Sequence, residues 1–242
     1  MQGLAVVAAG GLSKRMNLPA GQSKQYLRLG RYPVICHTLK AFEKAQTIVR
    51  VAVATKHDDT ERLRRLIKRY GFTKVCAVVE GGKERQDSIF NALQVFAADI
   101  EKAQHKTVML IHDGARPLIQ PSEIDQIAHW AWKFGACVPA TKPKDTIKQV
   151  DASANFFQKT LERSSLQLVQ TPQGFWAKLI FEAHQRAKAE NFYATDDAAL
   201  VERFFPNQRI KVFEMGYHNL KITTPEDVAI ARAILKRLQP LS

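Results

Sequence analysis

LAVVAAGGLSKRM, running from Leu4 to Met16, decides the fold. Leu4 to Ala9 is a continuous apolar run rather than an alternating one, the pattern of a strand covered on both faces in a parallel sheet. It breaks into Gly10 and Gly11, and then into Ser13, Lys14 and Arg15, with Lys24 following in SKQYL. A strand leading into paired glycines is a candidate anion site, because backbone N–H groups can approach a phosphate that a Cβ would hold off. The same residues also suit a tight turn before a basic helix start, and this stretch alone leaves both readings open.

Outward from it, helices and strands alternate. PVICHTLKAFEKA reads as a helix with Pro33 in its first turn, IVRVAVAT as a strand, and residues 58–70 as a helix. KVCAVVE is a strand. SIFNALQVF is a helix with Ile89, Ala92, Leu93 and Phe96 on one face. TVMLIHD is a strand, SEIDQIAHWAWKF a helix opened by Ser122, and ACVPAT a strand. Such a rhythm predicts an α/β fold with a mostly parallel sheet and helices on both faces. Between about 142 and 170 the rhythm stops. Apolar segments flank a polar turn at Asp151–Asn155, which predicts a β-hairpin whose exposed Ile147, Val150, Phe156 and Phe157 need a cover. A second subunit is the economical one, giving a homodimer joined through this arm. Helical patterns resume from Trp176 and at DDAALVERF. IKVFEMGY is the last strand, and Thr224, Pro225 and Asp227 open the last helix. The expectation is one domain over residues 1–242 with the arm inserted.

The chain has 242 residues, 45% of them hydrophobic and 24% charged, which suits one large globular domain. No run approaches the roughly 18 apolar residues of a membrane span, and no signal-peptide pattern opens the chain, so a cytoplasmic protein is expected. Cys36, Cys76 and Cys137 lack C-x-x-C spacing and read as reduced, mostly buried thiols. The balance of 36 Lys and Arg against 23 Asp and Glu gives +13, a field that gathers anions of any kind. In ERLRRLIKRY the cations fall opposite Leu63, Leu66, Ile67 and Tyr70, as on a solvated helix face.

Ligands of open α/β sheets sit at the carboxyl ends of the strands. There the sequence places Gly10, Gly11 and Arg15, then Gly81, Gly82 and Ser88 in EGGKERQDS, then Asp113 and Arg116 in HDGARP, and finally Lys221. Ser88 caps the next helix or bonds the ligand. Asp113 among these cations is a candidate ligand for Mg²⁺ bridging phosphates. Phosphoryl chemistry needs positioning and charge neutralisation more than a protein nucleophile, and Arg15, Lys24 and Lys221 are suited to that. His112 reads as a packed core residue. Neither a P-loop nor a G-x-S-x-G elbow is present.

The motifs AAGGLSKRM, SKQYL, EGGKERQDSI, LIHDGARP, KDTIK, LERSSLQLVQTPQGF, ATDDAALVE and NLKITTPEDVAIA span residues 4–231 in order. Together they resemble the polyol-phosphate cytidylyltransferases, and most closely the 2-C-methyl-D-erythritol 4-phosphate cytidylyltransferase family of the non-mevalonate isoprenoid pathway. The resemblance implies a Rossmann-like body, a dimerisation arm, and Mg²⁺-dependent transfer of a cytidylyl group from CTP to a polyol phosphate. By position it implies catalytic roles for Arg15, Lys24 and Lys221. Nucleotide contacts are implied at Ala9, Gly10, Gly11, Leu12, Ser13, Gly82, Lys83, Ser88 and Gly114. Polyol-phosphate contacts are implied at Asp113, Arg116, Thr146, Arg163 and Thr171, with Thr146 and Arg163 on the arm and so available to the neighbouring subunit. The sequence departs from the usual pattern at Gly10, Ser13, Ser23 and Lys83. A ribitol 5-phosphate cytidylyltransferase is the nearest alternative, and a basic nucleic-acid-binding protein of the same fold is the non-enzymatic one. Neither nucleic acid nor a membrane is expected as a partner.

Overall fold

The computed structural model describes residues 1–11, 13–16, 18–19, 22–102, 107–151, 153 and 155–238, Lys14 by its backbone alone. The first half of the chain follows the predicted alternation: β1 (Gly3–Ala8), a small hairpin of β2 (Arg28–Leu29) and β3 (Tyr32–Pro33), α1 (Val34–Lys44), β4 (Ile48–Thr55), α2 (Thr60–Tyr70), β5 (Val75–Glu80), α3 (Arg85–Gln94), α4 (Ala97–Lys102) and β6 (Val108–Asp113). Then come α5 (Pro121–Phe134), β7 (Ala136–Thr141), β8 (Lys148–Val150), β9 (Phe157–Thr160), β10 (Leu168–Val169), β11 (Gln173–Trp176), α6 (Ala177–Ala189), α7 (Asp197–Phe204), β12 (Lys211–Glu214) and α8 (Pro225–Leu238).

The main sheet has eight strands in the order β10-β7-β11-β6-β1-β4-β5, with β12 also pairing with β7. β1 runs parallel to β4 and β6, β4 to β5, and β7 to β12. The exceptions are β11, antiparallel to both β6 and β7, and β10, antiparallel to β7. β6 and β7, successive in the chain's strand–helix rhythm, are separated by β11. Its four residues, Gln173–Trp176, are too few to show a period.

The unbroken apolar run of β1 is explained by the two cores. Ala5 and Val7 join Val51, Val53 and Leu110 under α1 and α5, packing on Leu39, Phe42, Ile124 and Ile127. Leu4 and Val6 join Ala52, Met109 and Ile111 on the other face, against Ile89 and Leu93 of α3, Phe96 just after it, and Ile180 and Leu200 of α6 and α7. A third cluster seats α8 through Ala231 on Met16, Leu29, Val34, Leu118 and Ile222. That cluster fixes the loop before α8 against the loop after β1.

Two helix starts differ from the sequence reading. α3 begins at Arg85, with Glu84 and Asp87 forming a reciprocal capping box, so Ser88 lies inside the helix and is not its cap. α5 begins at Pro121, with Gln120 and Glu123 in the same relation, rather than at Ser122. The last helix starts as predicted: the Asp227 carboxylate accepts from the N–H of Thr223 and of Thr224. Of the three cysteines, Cys36 and Cys137 are buried and Cys76 is exposed on β5.

The arm is a hairpin of β8 and β9, antiparallel, with Lys148 opposite Thr160. Asp151 organises its turn by accepting from the Ser153 hydroxyl and the Asn155 N–H. Phe156 and Phe157 are 72% and 75% exposed, Val150 is exposed and Ile147 half-buried.

Candidate active site

The strand ends meet through backbone ties. Gly114 N–H donates to the Ala8 carbonyl (2.9 Å), Gly81 N–H to that of Thr55 (2.7 Å), and Ile222 N–H to that of Ala115 (2.8 Å). These draw the loops after β1, β5 and β6 and the loop before α8 around a cavity of about 400 Å³. Gly10, Gly11, Ser13, Arg15, Lys24, Gly82, Lys83, Arg85, Ser88, Asp113 and Lys221 border it. Gly82 is required by the fold itself, since a Cβ there would lie 2.3 Å from the Asp87 Cβ. Gly11 is different: a Cβ would meet nothing within 4 Å. Gly11 borders the cavity, so the room there is open to any ligand that would approach the backbone closely. Ser88 holds the second glycine turn, accepting from Gly82 N–H (3.1 Å) and donating to the Glu84 carbonyl.

Charge is arranged around Asp113. Arg85 Nε lies 3.1 Å from its Oδ1, and Lys221 Nζ 3.0 Å and Arg116 Nε 3.5 Å from its Oδ2. Burial pushes this carboxyl up, but Arg85, Lys221 and Arg116 outweigh burial and hold it well below the usual carboxylate range. Arg116 in turn donates to the Asn219 carbonyl (2.8 Å), and buried Asn219 bonds the Gln170 side chain and the Thr171 carbonyl. This pins the segment that delivers Lys221. Lys24 presents the opposite situation. It is buried, and its ammonium forms no ion pair or hydrogen bond among the described residues. Burial first, and then the charges of Lys221 and Arg15 against that of Asp113, lower its pKa to about 8. A buried cation without an anion, beside a glycine loop, is built to receive one from outside.

Comparison with known proteins agrees with this geometry. Residues 4–237 match the family model described as IspD: 2-C-methyl-D-erythritol 4-phosphate cytidylyltransferase. A protein of that name from Chloroherpeton thalassium is 58% identical over 99% of both chains, and one from Prosthecochloris aestuarii is 55% identical over 100% of both. The chain belongs to this family. Among solved structures, 4-diphosphocytidyl-2C-methyl-D-erythritol synthase from Anaerococcus prevotii superposes with a TM-score of 0.79 at 28% identity, covering 98% of this chain and 96% of that one. The Thermus thermophilus 2-C-methyl-D-erythritol 4-phosphate cytidylyltransferase gives 0.75 at 27% identity, covering 98% and 100%.

Most positions that the cytidylyltransferase resemblance singles out border this one cavity, but not all. Ala9 packs in the core with its N–H on the Ala54 carbonyl, and Gly114 is buried beneath the cavity floor. Leu12 lies outside the described residues. A second cavity of about 710 Å³ shares Arg85, Asp113 and Lys221 with the first and adds Arg116, Thr171, Gln173, Asp196 and the base of the arm at residues 167–170. Thr171 borders it with its hydroxyl already engaged. It accepts from Asp113 N–H (3.0 Å) and pairs with His112 Nδ1 (3.0 Å), while His112 Nε2 faces the Arg116 carbonyl (3.2 Å). A carbonyl only accepts, so Nε2 carries the proton and Thr171 donates to Nδ1. Burial, which lowers the His112 pKa to about 3, keeps that ring neutral. His112 is the packed residue that the sequence suggests. Thr146 and Arg163 border neither cavity; Arg163 is exposed and donates to the Lys144 carbonyl (2.6 Å).

Sequence reading missed Arg85 and what stands behind it. Arg85 bridges Asp113 to Asp197 (2.9 Å), whose other oxygen lies 3.1 Å from buried His184 Nε2. Arg85 thus forms part of the wall between the two cavities. No local signal marks it: it stands three residues past Gly82 in EGGKERQDS, and its partners lie far along the chain.

No group of three or more metal-ligating side chains occurs among the described residues. Both Asp113 oxygens face cations, so no preformed metal cage stands among the described residues. The donor set does fit a Mg²⁺ brought by a triphosphate, because that ion needs only one or two carboxylates besides phosphate oxygens and waters. Asp113 at the floor and Glu84 at the rim are the carboxylates that border the cavity.

Proposed function

We propose that the chain transfers the cytidylyl group of CTP to 2-C-methyl-D-erythritol 4-phosphate, giving 4-diphosphocytidyl-2-C-methyl-D-erythritol and pyrophosphate. Family membership supports the reaction, and the buried Lys24 ammonium beside the Gly10–Gly11 loop, unpaired among the described residues, is the observation that most supports placing it in the first cavity. A phosphate oxygen of the polyol phosphate attacks the α-phosphorus of CTP. The new P–O bond forms as the bond to the β-phosphate oxygen breaks, and pyrophosphate leaves with that electron pair. No protein nucleophile or base is needed, since the attacking oxygen is already anionic. The triphosphate lies along Gly10, Gly11 and Ser13. Arg15, Lys24 and Lys221 neutralise the charge that grows on the α-phosphoryl and the leaving group. The base sits by Gly82, Lys83 and Ser88. Asp113 and Glu84 would hold a Mg²⁺ that arrives with the triphosphate, and that ion would supply further charge neutralisation.

The second cavity takes the polyol phosphate, with Arg116 and Lys221 held in place by Asp113. Thr146 and Arg163 reach it from a second copy, whose arm covers Phe156 and Phe157; that neither residue borders a cavity of its own chain supports this. In this reading residues 1–242 form one domain with the arm inserted, acting as a homodimer in the cytoplasm. Among the described residues no helix is long and apolar enough to cross a membrane.

Pyrophosphate release tests the proposal, with CTP and either 2-C-methyl-D-erythritol 4-phosphate or ribitol 5-phosphate supplied. Turnover with the erythritol substrate and at least tenfold less with the ribitol one is expected. Faster turnover of ribitol 5-phosphate would overturn the substrate assignment, and no pyrophosphate from either would overturn the activity.

A further inference from the structure

Ser13 has φ +55, in the left-handed region that glycine enters freely and other residues avoid. Its Oγ accepts from the Lys24 N–H at 3.2 Å, across eleven positions of chain. The next amides of that turn are held from within: Gln25 N–H by Ser23 Oγ (3.4 Å) and Tyr26 N–H by the Ser23 carbonyl (3.0 Å). Lys24 N–H is the one tied to the glycine loop. Ser13 also borders the first cavity, and among the described residues its own hydroxyl proton has no acceptor.

A glycine at position 13 would adopt this backbone without strain, so the fold gives no reason for a side chain here. An outlier that persists without a packing reason points to function. We propose that Ser13 is a positioning residue: its hydroxyl locks the nucleotide loop to the Lys24 turn by accepting the Lys24 N–H, and offers its own proton to an oxygen of the bound triphosphate. The lock sets the distance between the backbone amides of the loop and the Lys24 ammonium, two groups that must grip one triphosphate together. Because Lys24 N–H is a fixed donor, the lock also turns the free hydroxyl proton away from that amide. This inference rests on the reading that the first cavity takes CTP.

The variants Ser13→Gly, Ser13→Ala and Ser13→Asn separate the hydroxyl from the backbone. With the lock removed, Ser13→Gly should melt at the wild-type temperature or higher, yet lose roughly five- to tenfold in kcat/KM for CTP, the scale of one hydrogen bond to a charged or partly buried group. Because the contact is made to the bound triphosphate, most of that loss should fall in the CTP KM, with KM for the polyol phosphate unchanged. Ser13→Ala should lose as much activity and melt below Ser13→Gly, since it keeps the strain. Ser13→Asn tolerates the left-handed region and supplies an acceptor, so it should recover a large part of the loss. Wild-type kcat/KM in Ser13→Gly, or no recovery in Ser13→Asn relative to Ser13→Ala, would overturn the proposal. Calorimetric titration with CTP alone distinguishes its failure from failure of the underlying reading. Weaker CTP binding in Ser13→Gly than in wild type supports the lock even without turnover, equal binding counts against it, and no CTP binding by wild type removes the reading on which it rests.

Discussion

The cavity at the strand ends and the arm are built by opposite means. At the cavity floor the Asp113 carboxylate is matched inside one chain: it is reached by Arg85 from α3, by Arg116 from its own loop and by Lys221 from the segment before α8. Among the described residues of the arm, β8 and β9 pair only with each other, and Phe156 and Phe157 are largely exposed. A lone two-stranded hairpin is marginal by itself. The difference teaches that the first region owes its shape to internal pairing, whereas the second leaves an apolar surface that the proposed dimer would cover.

Removing the cations tests the first half of that contrast most severely. Lys24→Ala and Lys221→Ala should each lower kcat by on the order of 10²-fold or more with a smaller rise in the CTP KM, because they act on charge that develops in the transition state. Steady-state kinetics that put the whole effect in KM would contradict the assignment. Arg85→Ala should come next. It leaves Asp113 and Asp197 without their shared partner, and breaking such a pair costs roughly 3 kcal/mol of stability. Urea unfolding showing a loss below about 1 kcal/mol would mean that the bridge is an incidental contact.

The arm comes third. Phe156→Ser with Phe157→Ser should leave the melting of an isolated subunit nearly unchanged but shift sedimentation at micromolar concentration from dimer to monomer. An undisturbed dimer would break the comparison, since the exposed rings would then have no task in assembly.

The smallest effect expected is on pH dependence. Lys24 titrates near pH 8 when folded, below an unfolded lysine at 10.5. The unfolded chain therefore binds more protons between those values, so burying the charged ammonium costs stability below about pH 8, and stability recovers as pH rises toward 10.5. Lys24→Met should remove that cost, raising the melting temperature at pH 7 while abolishing useful turnover. In the wild type, kcat/KM for CTP should fall as pH passes about 8, and the limb in kcat should lie higher because a bound triphosphate favours the charged lysine. A pH profile flat to 10 would sink the claim that Lys24 must be charged.

Much of this was readable from the chain. Leu4–Ala9 announced a strand buried on both faces because each residue meets one of two cores, and the glycine turns and Asp113 followed from where such strands end. What escaped was non-local. Arg85 is one of 36 Lys and Arg, and its partners lie 28 and 112 positions away, so no local pattern marks it. β11 escaped for a related reason. Four residues carry no period, and their place between β6 and β7 is chosen by tertiary packing. Ser88 read as a cap because serine favours that position, but Glu84 and Asp87 had already closed the helix end among themselves.

Mixing two inactive variants tests the central claim, that one subunit's cavity is completed by the arm of another. Lys24→Ala damages a cavity and leaves its arm intact; Arg163→Ala damages an arm and leaves its cavity intact. After the two are unfolded, mixed in equal amounts and refolded, half of the dimers should be mixed, and each of these should hold one site made of an intact cavity and an intact arm. Pyrophosphate release should then recover to about one quarter of the wild-type rate per chain. Activity no higher than the average of the two variants alone would contradict the account, because it would place Arg163 in the site of its own chain or in none.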